Sequence, residues 1–314
     1  MTGRERIKQI WRRLGASLWR QPTANAGDSD AMAIRGFFVL GAGRSGTSLL
    51  TAMLRTEGLH QGSVHSIQPR AANPMGFYED WEINAINDQI LGAAVQAQAR
   101  RPTALPEPGH GHGLDDTSID RPGGAQHWLL RWPLDQALSA TASQQRDMAR
   151  LMRPAPFCFK DPRFSYTLDL WIASLPPQQR QQLRSICVFR RPEAVVESTL
   201  RELRTEPKLH NLAISVQGAF SIWWHHYAWI LQRLAGQRRQ HTLILDYEDL
   251  FNAAGQRSLE HFSGRAIRRD LPQAALNRSA GSTLQRPSDC DALYEQLRRE
   301  AQADVRRWGG SEDP

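Results

Sequence analysis

Cysteine is scarce in this chain of 314 residues, which contains only Cys158, Cys187 and Cys290. The count is odd and no CxxC spacing occurs, so the sequence indicates neither a disulfide framework nor a cysteine zinc site. Free thiols are typical of a reducing compartment, and we expect the protein to reside in one.

Long apolar runs are also missing. No stretch approaches the roughly 18 apolar residues that a transmembrane helix needs. The N-terminus lacks the uncharged apolar core of a secretory signal peptide. We therefore expect a soluble, cytoplasmic protein that is not exported.

The composition is that of a globular domain with a surplus of positive charge. Hydrophobic residues make up 40% of the chain and charged residues 23%, values that suit one large α/β domain with a sizeable core. The formal net charge of +7 predicts an anionic partner. Because the arginines are spread along the chain, a polyanionic cofactor is enough to explain this charge, and no nucleic-acid partner is expected.

The first 28 residues are set apart from the rest. Residues 1–20 carry apolar side chains on one helical face and arginines elsewhere, which predicts a basic amphipathic helix. Such a helix can contact a membrane surface peripherally, pack against the domain or fray as a terminus. Small and polar residues follow as a linker, and we place the main domain at residues 29–314.

Residues 37–54, FFVLGAGRSGTSLLTAML, contain the most informative motif. The apolar run from Phe37 to Leu40 predicts a buried parallel strand, the glycines permit a tight turn, and the apolar spacing after them predicts a helix. The N–H groups of such a loop and of the first helical turn have no internal partners and carry the positive end of the helix dipole. The motif therefore predicts a site for an anion such as a phosphate or a sulfonate.

The positive charge of this loop stands at an unusual position. Gly41 and Gly46 have the spacing of the G-x-x-x-x-G-K-[ST] loop of nucleotide triphosphatases. Thr47 occupies the lysine position, however, and Arg44 supplies the cation instead. The loop thus lacks the lysine that reaches the β- and γ-phosphates of ATP, which favours a ligand with fewer terminal charges. The alternative is a plain connection between strand and helix.

Two more strands are predicted to end in charged residues. Residues 157–163, FCFKDPR, predict a short buried strand that leads into a turn with Lys160. Residues 186–189 predict another strand, which ends at Arg190 and Arg191. Ligands of open parallel sheets bind beyond the carboxyl ends of the strands, so these cations are candidate ligand contacts.

A hydroxyl follows the second of these strands. Ser198 lies eight residues beyond Arg190, on a helix that Pro192 is predicted to open. The guanidinium at the strand end and the hydroxyl on the helix can therefore meet one phosphate.

Glu79 and Asp80 precede a helix that apolar spacing predicts over residues 81–97. One interpretation is that these carboxylates cap the positive N-terminus of the helix. The other is that one of them is a general base. The residues alone leave both interpretations open.

The remaining pattern alternates helices with a strand. Helices are predicted over residues 134–152, 166–175, 212–235 and 289–308, a strand over 242–245 and a helical turn over 246–250. Residues 100–124 are rich in proline and glycine and predict a long loop. Its histidines and aspartates are interpreted as solvated rather than metal-binding, because no rigid element fixes them.

Five segments, taken together, resemble the sulfotransferases that use 3′-phosphoadenosine 5′-phosphosulfate. They are GAGRSGTSLL, NPMGFYED, FKDPR, VFRRPEAVVES and LDYEDL, in this order between residue 37 and about residue 250. The resemblance is to the bacterial and tyrosylprotein-type branches. It implies an α/β, P-loop-like three-layer fold with a central parallel sheet flanked by helices. It also implies transfer of a sulfuryl group to a hydroxyl or amine, and a carbohydrate or other small acceptor is favoured.

The resemblance further implies where the donor binds. The 3′-phosphate is assigned to Arg190 and Ser198. Relatives often carry aspartate at the position of Arg191, so this second arginine is the alternative contact. The 5′ end of the donor is assigned to Arg44, Ser45, Gly46, Thr47 and Ser48.

Catalytic roles follow from the same resemblance. Glu79 is assigned as the base that takes the proton of the acceptor, and Lys160 and Arg44 as cations that stabilise the transition state. The GFYED segment matches more loosely than the glycine loop, so the base has alternatives. These are Asp80, His60 and His65.

The chemistry agrees with the residues present. Sulfuryl transfer needs a base for the acceptor and cations over the bridging oxygen, and it needs no metal. Two other classes stay open. A P-loop kinase or other nucleotide-binding protein would bind ATP with magnesium, and a basic adaptor would bind a membrane surface or a nucleic acid through its arginine-rich ends.

Overall fold

The computed structural model describes most of the chain from residue 33 onward. The described residues are 33–56, 58–62, 73, 76–99, 126–234, 239–272 and 282–310. The predicted N-terminal helix, the boundary at residue 28 and the whole of the predicted 100–124 loop lie outside them, as does His65.

A parallel sheet forms the centre of the molecule. Its spatial order is β2-β1-β3-β4, and every neighbouring pair in it is parallel. In the register, Gly36 of β1 lies opposite Phe157 on one side and Leu183 on the other. The strands are β1 (Gly36–Leu40), β2 (Phe157–Lys160), β3 (Leu183–Phe189) and β4 (Thr242–Asp246).

Helices connect the strands and cover the sheet. Short 3₁₀ segments at His127–Leu129 and Tyr247–Phe251 flank the region where the strands end. The α-helices are α1 (Thr47–Met53), α2 (Trp81–Ala99), α3 (Ala142–Leu151), α4 (Phe164–Ala173), α5 (Pro177–Arg180), α6 (Pro192–Thr205), α7 (Val216–Leu234), α8 (Ala253–Ser263) and α9 (Ser288–Trp308).

The two faces of the sheet are buried in separate cores because side chains alternate along each strand. Phe38 packs with residues of α2, α3, α4, α6 and α7, whereas Phe37 packs with residues of α1 and α8. Helix α9 contributes to both cores, through Leu293 and Val305 respectively. The result is the predicted three-layer α/β fold with a central parallel sheet.

Two helices are shorter than predicted. The helix expected over residues 212–235 is α7, which spans Val216–Leu234, and the larger difference concerns α3. The expectation of a helix from residue 134 is wrong, because α3 begins at Ala142. Thr141 and Gln144 form a capping box there: the Gln144 N–H donates to the Thr141 hydroxyl (3.2 Å), and the Thr141 N–H donates to the Gln144 side chain (2.9 Å). This reciprocal cap fixes the helix start.

The outer edge of β4 is covered by a side chain of α9. The Asp304 carboxylate accepts a hydrogen bond from the Ile244 N–H (2.8 Å) and is paired with Arg239 (2.7 Å). An edge strand otherwise presents unpaired backbone groups, so this contact closes part of the open edge.

Within the described part of the chain, no helix has both the length and the apolar character needed to span a bilayer.

Candidate active site

The predicted site residues gather at one edge of the sheet because parallel strands all end on the same side. β1 leads into the glycine loop, β2 ends at Lys160, and β3 is followed by Arg190. β1 and β3 are direct neighbours, which brings the loop and Arg190 to adjacent strand ends.

The glycine loop turns tightly between β1 and α1. Gly46 has φ +95°, and a Cβ there would lie 2.4 Å from the ring of Tyr247. A Cβ on Gly43 would lie 2.7 Å from the ring of Trp128. Arg44 also adopts a left-handed conformation, with φ 70°, which a residue with a side chain adopts only at some cost. Two aromatic rings therefore confine a loop whose shape needs glycine.

The side chain of Arg44 reaches across to α6. Its Nε donates to the Ser198 hydroxyl (3.1 Å) and lies 3.4 Å from a carboxylate oxygen of Glu202. Ser198 and Glu202 are four residues apart and so share one face of α6. Ser198, assigned above to the 3′-phosphate, therefore contacts the arginine of the glycine loop.

The hydroxyl residues of the loop face different surroundings. Ser45 is fully buried, and Thr47 is buried at the start of α1. The Ser48 hydroxyl donates to the carbonyl of Phe77 (3.3 Å) and accepts from the Asn73 side chain (3.1 Å). Ser48 thereby ties the loop to the segment that leads into Glu79.

Glu79 and Lys160 form a buried ion pair at the end of β2. One carboxylate oxygen of Glu79 pairs with Lys160 Nζ, and the other accepts from Asn84 Nδ2 (2.9 Å). Burial alone raises the pKa of Glu79. The charge and hydrogen bond of Lys160, together with the Asn84 hydrogen bond and the charge of Arg163, outweigh burial and hold the pKa below its usual value. Glu79 is therefore ionised at neutral pH and in contact with a cation.

Asp80 caps the helix that follows it, one of the two roles considered for this pair of acids. Its carboxylate accepts from the N–H groups of Glu82 (2.9 Å) and Ile83 (3.1 Å), which makes it the cap of α2. Burial lowers the pKa of His60, although the charge of Asp80 opposes this shift. His60 is therefore close enough to Asp80 to feel its charge.

A second buried network lies behind Lys160. The Arg163 guanidinium donates to Asp161 (3.1 Å) and to Asp88 of α2 (2.9 Å). Asp88 also lies 2.9 Å from Nδ1 of His127, the residue before Trp128. The turn after β2 is thus connected to α2 and to the segment that covers the glycine loop.

The two arginines after β3 differ in their surroundings. Arg190 stacks over the ring of Tyr247, with its Cζ 4.2 Å from the ring centroid. Burial and the neighbouring charges of Arg191 and Arg44 lower the pKa of Arg190. Tyr247 and Glu248 act in the opposite direction and raise it. The Arg191 side chain is 40% exposed and pairs loosely with Glu193, at 3.8 Å.

A model of the sulfotransferase family matches residues 36–256, which include all four strands of the described sheet and the candidate site. The chain belongs to the sulfotransferase family. Its structure is similar to that of a solved sulfotransferase domain from the curacin biosynthetic pathway, with 16% sequence identity and a TM-score of 0.47. The alignment covers 85% of this chain and 98% of that one. No curated protein matches the sequence.

In this sulfotransferase family member, several neighbours of the site were missed by the sequence reasoning. Glu202 could have been found, because it lies one helical turn after Ser198. Tyr247 and Trp128 could not have been predicted, because their contacts with the loop join distant parts of the chain. The described residues contain no group of three or more potential metal ligands, and all three cysteines are free and buried.

Proposed function

We propose that this family member transfers a sulfuryl group from 3′-phosphoadenosine 5′-phosphosulfate to a hydroxyl or amine of a carbohydrate or other small acceptor. The observation that carries the proposal is the buried Glu79–Lys160 pair at the same sheet edge as the Arg44 loop. A base for the acceptor and a cation for the leaving group are the two groups that this chemistry needs.

The cations at the strand ends fit a polyanionic donor. Burial is the main cause of the lowered pKa of Arg190, and repulsion from the positive charges of Arg191 and Arg44 adds to it. A bound polyanion relieves such repulsion. We assign Arg190 and Ser198 to the 3′-phosphate. The 5′ end is assigned to the loop residues Arg44, Ser45, Gly46, Thr47 and Ser48.

The donor supplies an activated sulfuryl group and a phosphate leaving group. Glu79, ionised at neutral pH, is positioned to accept the proton of the acceptor hydroxyl or amine. Once Glu79 has taken up that proton, its attraction for Lys160 falls. The ammonium of Lys160 is then available to neutralise charge that develops on the departing oxygen, with Arg44 as a second cation.

Ligand binding without metal tests the proposal. Adenosine 3′,5′-bisphosphate, in the presence of a chelator, should raise the melting temperature, because ligand at 100 times its Kd adds about 2.7 kcal/mol to the free energy of unfolding. ATP with magnesium and anionic vesicles are the comparison ligands. Absence of a shift at saturating bisphosphate contradicts the proposal, and a shift only with ATP and magnesium indicates the kinase alternative.

Two finer assignments complete the proposal. The KDP turn with Lys160 supports the tyrosylprotein-type branch. Three free and buried cysteines support a reducing, cytoplasmic location.

A further inference from the structure

A carboxylate lies within the anion-binding region, where a site for a polyanion would not be expected to have one. Glu202 is 7% exposed, and its side chain lies on the face of α6 that carries Ser198. Its carboxylate is 3.4 Å from Nε of Arg44, the same nitrogen that donates to Ser198 (3.1 Å). Glu202 therefore acts directly on the cation that the glycine loop offers to the donor.

The charges of Glu202 and of the donor compete for this cation. In the protein alone, the carboxylate compensates the positive charge of Arg44, and both side chains are largely shielded from water. A polyanion bound to the loop must share Arg44 with Glu202 and also lies close to the negative charge of Glu202. Like charges a few ångströms apart repel strongly where the effective dielectric constant is low. Glu202 should thus weaken the binding of every anionic ligand of this loop.

We propose that Glu202 is a positioning residue that competes with the donor for Arg44 and thereby limits the affinity of the site for the spent nucleotide. The inference rests on the proposed function, since it concerns the same loop. Its consequence is faster release of adenosine 3′,5′-bisphosphate after transfer. Product release limits the turnover of many enzymes, so an internal competitor of this kind favours turnover at the expense of affinity.

The test is isothermal titration of the full chain with adenosine 3′,5′-bisphosphate. Glu202→Gln keeps the size of the side chain and removes its charge, and it should tighten binding about tenfold. Glu202→Met removes the same charge and should tighten binding in the same way. It replaces the glutamine variant if that variant folds poorly. Glu202→Asp keeps the charge and should bind nearly as the unaltered protein does.

A control separates the local effect from net charge. Glu295→Gln on α9 changes the net charge equally, but its ion pair is with Arg298 on the same helix (3.3 Å). It should leave the Kd unchanged. Melting temperatures add a second readout: without ligand, Glu202→Gln should melt no higher than the unaltered protein, and with saturating bisphosphate its gain in melting temperature should be larger. If the role of Glu202 were purely structural, Glu202→Gln would lower both the melting temperature without ligand and the gain in melting temperature with bisphosphate.

The outcomes are distinguishable. Unchanged or weaker binding by both neutral variants, with normal binding by the unaltered chain, overturns the inference and leaves the proposed function standing. Failure of the unaltered chain to bind the bisphosphate overturns the proposed function itself, and the inference with it.

Discussion

The carboxylates of Glu79 and Asp80 are adjacent in sequence but have different partners, and they should respond differently to substitution. Glu79→Gln removes the proposed base beside Lys160 and should lower turnover by about 10²–10⁴-fold, with donor affinity nearly unchanged. Asp80→Asn weakens the cap of α2 and should cost about 0.5–2 kcal/mol of stability, with chemistry retained in the folded fraction. Turnover, melting temperature and bisphosphate affinity of both variants provide the measurement.

The pH dependence of kcat/KM is a second test of Glu79 as the base. Because the pKa of Glu79 is lowered by its contact with Lys160, the proposed base stays ionised as the pH falls from neutral, and the acid limb of kcat/KM should lie below the usual titration range of a glutamate. Near-normal turnover in a stable, donor-binding Glu79→Gln variant would transfer the base role to another group.

Arg190 and Arg191 are also adjacent, and their surroundings favour the first as the 3′-phosphate contact. Arg190→Ala should weaken binding of adenosine 3′,5′-bisphosphate by about 1.5–3 kcal/mol and change turnover at saturating donor little, because the proposed contact would be made equally in ground and transition states. Arg191→Ala, at the more exposed arginine, is the matched variant. A larger loss of affinity in Arg191→Ala reverses the assignment.

His226 should make the protein sensitive to acid. Burial lowers its pKa from 6.5 to about 3, and its Nε2 donates to the carbonyl of Trp128 (3.0 Å). The unfolded chain takes up this proton as the pH falls below 6.5, whereas the folded chain does so only near 3. The free energy of unfolding therefore falls across this window, by at most about 1.4 kcal/mol per pH unit.

Urea unfolding at pH 7 and pH 5 tests this sensitivity. His226→Gln, which has no titrating ring, should show a smaller loss of stability between the two values than the unaltered protein. His210→Gln removes an exposed imidazole and is the control. An equal loss of stability in His226→Gln and the unaltered protein would exclude His226 as the cause.

Single residues were predicted from the sequence to different degrees. Lys160 and Arg190 were expected at strand ends, and the structure has them there, because apolar runs that stop at charged residues identify the end of a parallel strand. The partners of Arg44 were harder to predict from the sequence. Ser198 was assigned to a phosphate rather than to the arginine of the loop, since its distance from Arg44 depends on how α6 packs and no local pattern encodes that packing.

Elements were predicted well where one local signal dominates. β1, β2, β3 and β4 all lie where apolar runs placed them, and α9 begins within one residue of its predicted start. The start of α3 was misplaced because the apolar residues between 134 and 141 lie in an irregular segment instead of a helix. Leu134 and Leu138 are partly buried there and pack against the cluster that contains Trp132. Apolar spacing alone does not separate these two kinds of burial.

The contact between Asp304 and the edge of β4 should contribute measurably to stability. Asp304→Ala leaves both the β4 edge and Arg239 without the carboxylate, and it should cost about 3 kcal/mol of stability. Glu300→Ala removes a more exposed partner of the same arginine and should cost less than about 1 kcal/mol. Urea unfolding of both variants measures the difference, and equal costs would contradict a special role for Asp304 at the edge.

The whole molecule depends on contacts between distant parts of the chain. β1 lies between β2 and β3, so Gly36 pairs with Phe157 and Leu183, both far along the sequence. The parallel sheet and the site at its edge form only after these partners are present. Folds with such non-local pairing are expected to form slowly.

This strand order matters while the chain is still being made. A ribosome that adds about 5–20 residues per second leaves β1 without a neighbouring strand for on the order of ten seconds after its emergence. During that interval the apolar side chains of Phe37, Phe38, Val39 and Leu40 have no sheet to join. The nascent segment that later supports the glycine loop is thus open to aggregation during synthesis, which binding of a chaperone would prevent.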